Sequence, residues 1–459
     1  MIKQEVYNQV QDLEGLCSDI ARTLWNNPEA SGNEANASAY LKEILSKEGF
    51  TLTDCPNVPY AFCAEYGSGK PVLAVLAEYD VLPGLSQKAC AAKDPVQEGG
   101  PGHGCGHNLL GSAAVTAAIG LKRFLEKSGH VGTVRLYGCP EEELLDGKVK
   151  MIAEHFFDGC DAALTWHPSD ANVAHTKGYL ANAAMKFFFS GRSSHAAFAP
   201  QLGRSALDAV EIMNVGVNYL REHVVDKTRI HYTTDSGGYA PNIVPASASS
   251  WYFVRAPKMS DVRETVRRVE LAAQGAATMT ETNVEVKHGY GCCEFKENQA
   301  FADLSYANLI EADGPKYTEE EMAFAAELQK TLAPGVAEKN QALYKMKDGV
   351  LFSGVGNREL CRDCEMTASS DTGDVSYLMP SGLFTTTCWP IGVSPHTWQA
   401  AACAGTSIGE KAALYAAKVL AGTGYDLFTE PEHLKKITRE FEDRKTEEYE
   451  PMLADPDYR

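Results

Sequence analysis

The sequence lacks any apolar run of about 18 residues, so no segment is long enough to span a bilayer as a helix. Positive charge is also scarce: 42 Lys and Arg stand against 61 Asp and Glu, a formal net charge of −19. That balance argues against nucleic acid or an anionic membrane surface as partner. An anionic small substrate would need local cations set against the global field. The opening residues, MIKQEVYNQVQDLEGL, lack the basic-then-apolar pattern of a secretory leader. The 13 cysteines are scattered, without the dense framework of a small secreted fold, and their odd number leaves at least one unpaired. These absences lead us to expect a cytoplasmic protein. Repeats, low-complexity tracts and flexible Gly/Ser linkers are missing too.

What is present is enough chain for two or more domains, at 459 residues with 44% apolar and 22% charged content. Helical and strand patterns alternate over the first 180 residues. Helices are expected over 4–27, 36–48, 109–127 and 147–157, and strands over 61–66, 71–77, 133–138 and 162–166. That pattern predicts an α/β layered domain around a mixed sheet. Between 183 and 297 the order becomes β-α-β-β-α-β, the ferredoxin-like unit. Helix–strand alternation then resumes, with helices near 318–332 and 407–421. The simplest organisation is a discontinuous catalytic domain, 1–182 and 298–459, carrying an inserted α+β domain at 183–297.

Chemistry-bearing residues collect where strands end. Gly102-His103-Gly104-Cys105-Gly106-His107-Asn108 packs two imidazoles and a thiol into five residues, donors suited to zinc and related divalent metals. If extended, it would put His103, Cys105 and His107 on one side. Glu141-Glu142-Glu143 follows a strand, as does Glu78-Tyr79-Asp80. Adjacent acids usually mark a solvated loop, but a dinuclear site needs one carboxylate as ligand and another as general base. His167 ends a further strand, and His396 precedes an apolar helix. Each has a bland reading as a packed or turn histidine; their convergence at strand ends is how loops assemble catalytic metal sites. In the inserted segment, Arg255 could bind a carboxylate bidentately and His195 could donate to an oxyanion, with Asn242 nearby in sequence order.

These residues carry a resemblance. LAEYDVLPGLSQ, GHGCGHNLLGSA, PEEE, TWHP, SGRSSHAAFAP, GRSALDAV, NIVPA with FVRAP, SSDTGDVS and SPHTWQAAACAGTSIGEKAALYAAKVLA occur in this order between about residue 70 and residue 421. Together they resemble the dinuclear metallo-amidohydrolases and aminoacylases, the family of hippurate hydrolase, plant auxin-conjugate hydrolases and p-aminobenzoyl-glutamate hydrolase. The AEYD and GHGCGHNLLG forms look closest to the p-aminobenzoyl-glutamate hydrolase and dipeptidase branch. The resemblance implies a phosphorylase/hydrolase-like catalytic domain with an inserted dimerisation domain. It implies two divalent ions, zinc or manganese, with Cys105 bridging them and His107, Glu143, His167 and His396 as further ligands. Glu142 matches the general base, and His103 a supporting residue. His195 matches an oxyanion donor reaching into a neighbouring protomer, and Asn242 and Arg255 match carboxylate-binding groups across the same dimer.

The chain departs from the family in three places. Glu78 stands where many relatives carry a metal-binding His, Asn108 where relatives often have Asp, and Leu144-Leu145-Asp146 where a glycine-rich run is usual. The implied reaction is metal-dependent hydrolysis of the amide of an N-acyl amino acid with a free carboxylate, or of a β-alanyl or basic dipeptide. Two other readings remain: Cys105 as a nucleophile activated by His103 or His107, and a non-catalytic partner in a heteromeric amidohydrolase. A homodimer is expected, or a heteromer with a related chain.

Overall fold

The computed structural model describes residues 2–175, 178–345, 349–358, 368–445, 448–456 and 458. The chain divides into two compact units. One comprises Met1–Gly178, Lys296–Glu365 and Val375–Tyr449; the other Tyr179–Phe295, Met366–Asp374 and Glu450–Arg459.

The first unit is built on a mixed sheet of seven strands: β1 (Thr51–Asp54), β2 (Phe62–Ser68), β3 (Val72–Glu78), β4 (Gly132–Cys139), β5 (Ala162–Ser169), β6 (Val173–Ala174) and β11 (Ser381–Thr387). Their spatial order is β1-β2-β4-β3-β5-β11-β6. The central four run parallel and the flanking pairs antiparallel. Every residue of β3 is buried, as expected of a parallel strand covered on both faces. The leading helices are α1 (Lys3–Gln11), α2 (Glu14–Asn26), α3 (Ala35–Lys47), α4 (His107–Ser128) and α5 (Gly147–Ala153). Helix α4 is buried from His107 to Leu121 and packs on β3, α2 and the helix Ser407–Thr429. Leu109 and Leu121 of α4 lie against Gly409 and Gly424 of that helix, and the absent side chains let the two axes approach closely.

The second unit holds β7 (Ala181–Ser190), α6 (Ala206–Leu220), β8 (Arg229–Ser236), β9 (Ser247–Ala256), α7 (Met259–Thr280) and β10 (Asn283–Cys292). Its sheet order, β10-β7-β9-β8, is antiparallel throughout. The α/β class and the ferredoxin-like order are as the sequence predicts. Three local expectations change. The helix expected over 4–27 is two helices, and that over 147–157 stops at Ala153, with His155 at φ 57°. Strands β1, β6 and β11 are not among the expected strands; in β11, SGLFTTT shows no alternation, yet all seven residues are buried. The cysteines among the described residues are free thiols. No described helix is long and apolar enough to cross a membrane.

Candidate metal centre

Neighbouring parallel strands deliver the first residues. Glu78, ending β3, is in register with Cys139, ending β4, and His167 lies near the end of adjacent β5. Their carboxyl ends open on one edge, where ligands gather in such sheets. Past Cys139 the chain turns sharply. Glu141 at φ 57° and Leu145 at φ 56° bracket a single 3-10 turn, Glu142–Leu144. Left-handed backbone at non-glycine residues is costly and needs support. Here the Glu141 N–H donates to Glu34 Oε1 at 2.8 Å, Lys150 meets the Glu141 carboxylate at 2.6 Å, and the Glu143 N–H donates to Asp80 Oδ2 at 2.9 Å. The turn thereby separates the three acids: Glu141 goes to Lys150, while Glu142 and Glu143 face His107.

The Gly102–Asn108 segment is not extended but bends at Gly104 and Cys105. A Cβ at Gly102 would fall 2.0 Å from the Leu85 carbonyl oxygen, and Gly106 takes φ 77° to start α4 at His107. The bend sends His103 away from the other donors. Its Nε2 lies 3.1 Å from the Leu24 carbonyl and its Nδ1 accepts from the Asn108 N–H at 3.1 Å. Burial, reinforced by His107, pushes its pKa down to about 3. With both nitrogens engaged and the ring neutral, His103 braces the loop.

The structure gathers Cys105, His107, Glu142, Glu143, His167 and His396 into one cluster. Cys105 Sγ lies 3.4 Å from His167 Nε2, and His396 Nε2 lies 3.3 Å from Glu143 Oε2. Two donor groups share Cys105: Cys105, His107 and His167 form one, Cys105, Glu143 and His396 the other, each with its ligand atoms within 4.8 Å of one another. Ligands of one tetrahedral ion, bonded at about 2.0–2.3 Å, stand about 3.3–3.7 Å apart. His107 Nδ1 lies 2.8 Å from Asp80 Oδ1, so a proton sits there; against burial, Cys105 and Asp80 push the ring well above its ordinary pKa, and a bound cation would take the place of the second proton on Nε2. That Nε2 is buried with no hydrogen-bond partner, as is Glu143 Oε1. Such orphaned atoms facing a thiol fit a bound cation, or a second proton on His107. Burial, then the charge of Glu143, pushes the Cys105 thiol well above its ordinary range. Without a cation it is a neutral thiol, which is a poor nucleophile. Burial and His107 push His167 down to about 4, leaving it a neutral donor.

In the sequence Glu78 and Asp80 merely occupy a strand end, with no role attached to Asp80. The structure makes Asp80 the organiser. It accepts from His107, from the Glu143 N–H and from Ser31 Oγ at 2.8 Å. Burial alone would raise it, but the hydrogen bond and charge of His107 hold it below the usual carboxylate range. Lys148, 0% exposed and 2.7 Å from Glu78, has no signal in the sequence.

The remaining candidates lie in the second unit. His195 and Asn242 occupy two loops zipped together: the Ala196 N–H donates to the Asn242 carbonyl at 3.0 Å, and His195 bridges to Ile243. His195 Nδ1 accepts from the N–H groups of Ala197 and Phe198 at 3.2 and 3.1 Å. Its proton therefore sits on Nε2, a donor on an exposed ring. Arg255 is not with them. It lies near the far end of β9, beside Asn182 of β7 and Arg229 of β8, and donates to Ser369 Oγ at 3.3 Å. The eight steps from Ser247 to Arg255 span roughly 26 Å at the rise of a strand. Asn182, with both side-chain polar atoms buried and lacking a hydrogen-bond partner, carries no motif that marks it in the sequence.

Comparison with known proteins gives concordant matches. A family model described as a peptidase dimerisation domain matches residues 180–278. The chain is 41% identical over 457 residues to one of the subunits of p-aminobenzoyl-glutamate hydrolase of Escherichia coli (strain K12), covering 95% of each chain. It is 26% identical to the Xaa-Arg dipeptidase of Mus musculus, covering 98% of this chain and 94% of the relative. Its fold is similar to that of a Bacillus subtilis dinuclear metal-binding peptidase of the M20 family, with a TM-score of 0.60 at 16% identity, covering 91% of this chain and 99% of that one.

Proposed function

The chain belongs to the M20 family of metallo-amidohydrolases that includes p-aminobenzoyl-glutamate hydrolase, and on that premise we propose that it cleaves the amide of an aroyl- or acyl-amino acid with a free α-carboxylate, p-aminobenzoyl-glutamate being the first substrate to test. The observation that carries the reading is the pair of donor groups sharing Cys105, with Glu142 3.7 Å from His107 of one of them.

Cys105, His107, Glu143, His167 and His396 would hold two divalent ions, zinc or manganese. Such ions supply Lewis acidity, lowering the pKa of a water and polarising the amide carbonyl. Glu142 takes the proton of the attacking water and passes it to the leaving amine. His195 donates its Nε2–H to the developing oxyanion. Being exposed and complete in its own loops, it serves a site on a second copy of the chain. Asn242 and Arg255 anchor the substrate carboxylate. They stand at opposite ends of β9, so one carboxylate held by both draws them from different copies. The pairing surface is the dimerisation-domain match, whose edge strand β8 is hydrogen-bonded on one side only within its sheet. We place the enzyme in the cytoplasm, where its free thiols stay reduced.

The test is a substrate panel: p-aminobenzoyl-glutamate, other N-acyl amino acids, and β-alanyl and basic dipeptides, each with added manganese or zinc. Turnover of an acyl- or aroyl-amino acid that chelation abolishes and metal restores supports the reading. Stoichiometric metal without turnover of any member overturns it in favour of a non-catalytic partner chain. Activity indifferent to chelator but killed by alkylation would instead make Cys105 a nucleophile.

A further inference from the structure

Glu78 and Lys148 form an enclosed ion pair beside the cluster, at 2.7 Å, with side chains 2% and 0% exposed. Taking two charges out of water is costly, and such a pair is seldom more stabilising than well-packed apolar residues of the same volume. Its position points to a use. The second oxygen of Glu78, Oε2, lies 3.4 Å from His107 Nε2, and Glu142 Oε2 lies 3.7 Å from the same nitrogen. Glu78, His107 and Glu142 thus make a third group of converging donors, all three buried. With its proton on Nδ1, toward Asp80, His107 joins the two carboxylates as a third acceptor facing one point. Such a set holds together around a metal ion, or around a second proton on His107. The 3.4 Å separation is that of two ligands on one tetrahedral ion with bonds of about 2.0–2.2 Å.

We infer that Glu78 is a ligand of the ion held by His107, and that Lys148 is a positioning residue that binds Oε1 so that Oε2 alone reaches the ion. The inference rests on the metal-site reading above. Lys148 also offsets the added carboxylate, so the ion gains a ligand without further net negative charge in the cluster. The rival account is metal-free: His107 as an imidazolium, paired with Glu78 and Glu142.

Ion counting separates the two. Protein stripped with chelator is titrated with manganese or zinc, following stoichiometry by elemental analysis and affinity by calorimetry. The variants are E78Q, K148M and the double variant E78Q/K148M, which avoids leaving a lone buried ammonium. E78Q and the double variant are expected to bind one of two ions at least tenfold more weakly, with the other unchanged. K148M should show a smaller loss, since the carboxylate remains but can turn. If the glutamine variants fail to fold, E78D, which withdraws the carboxylate by one methylene, should show the same tenfold loss. A folded E78Q/K148M or E78D protein that keeps both ions at wild-type affinity overturns the role of Glu78 alone. Wild-type protein that takes up fewer than two ions sinks the metal reading, and this inference with it.

Discussion

The two sets of candidate catalytic residues are built in opposite ways. Around His107 most of the donors are buried, His396 excepted, and the chain itself fixes them: Asp80 holds the His107 ring, the Glu143 N–H and Ser31, and two left-handed residues set the direction of Glu142 and Glu143. Around His195 the ring is exposed, on a loop between β7 and α6, and its donor nitrogen points away from its backbone anchors. The first region sets its donors around one point without outside help. In the function proposed above, the second is a donor whose acceptor comes from another surface. Preorganisation of this kind spares a reacting centre the cost of alignment during turnover.

The largest expected effect separates chemistry from binding within the buried region. Glu142→Ala should lower kcat by about 10²- to 10⁴-fold, the usual loss on removing a general base. Because the other donors remain, metal content by elemental analysis should not change. An unchanged kcat would remove Glu142 from the mechanism, and loss of metal would make it a ligand instead.

The next effect probes the exposed region. His195→Ala should lower kcat by about 10²- to 10³-fold, as loss of one oxyanion donor does. An exposed side chain contributes little to folding, so stability should change by no more than about 0.5 kcal/mol. Mixing the two inactive variants sharpens the comparison. In a mixed dimer one site joins an intact Glu142 to an intact His195 of the other copy, so random exchange should restore on the order of a quarter of wild-type activity. No recovery after verified exchange of protomers would place His195 in the site of its own chain.

Legibility in the sequence follows the same division. The donors of the cluster are readable because each sits in a short motif at a strand end or a helix entrance, and the alternation of periods marks most helices and strands. What escapes reading depends on contacts between distant residues. Lys148 looks like one lysine of a surface helix until α5 folds it against Glu78, 70 positions earlier. His103 looks equivalent to His107 until the bend at Gly104 hands its two nitrogens to Leu24 and Asn108. Strand β11 carries no alternating pattern because both its faces are covered. In the second unit, Asn242 and Arg255 are 13 positions apart in the sequence and share one expected role. The strand between them sets them at opposite ends of the sheet.

The smallest effect concerns how the buried region bears its own charge. Glu34 is 0% exposed and accepts the Glu141 N–H that supports the strained turn. Burial, then the charge of Asp80, raises its carboxyl from 4.5 to about 7. The folded state therefore holds a proton that the unfolded state releases between about pH 4.5 and pH 7. Stability from the protonated form is full below the unfolded pKa and falls by about 1.4 kcal/mol per pH unit until the folded pKa is passed, about 3 kcal/mol in all. Glu34→Gln keeps an acceptor for the Glu141 N–H but cannot ionise. Urea unfolding of chelator-treated protein should show the variant equal to wild type near about pH 4.5 and more stable near about pH 8, by up to about 3 kcal/mol. Glu222→Gln, at an exposed position of the second unit, should stay within about 0.5 kcal/mol at both pH values. A Glu34 difference that does not grow with pH would mean that the buried region carries this carboxylate ionised, compensated by the same network that holds Asp80 low.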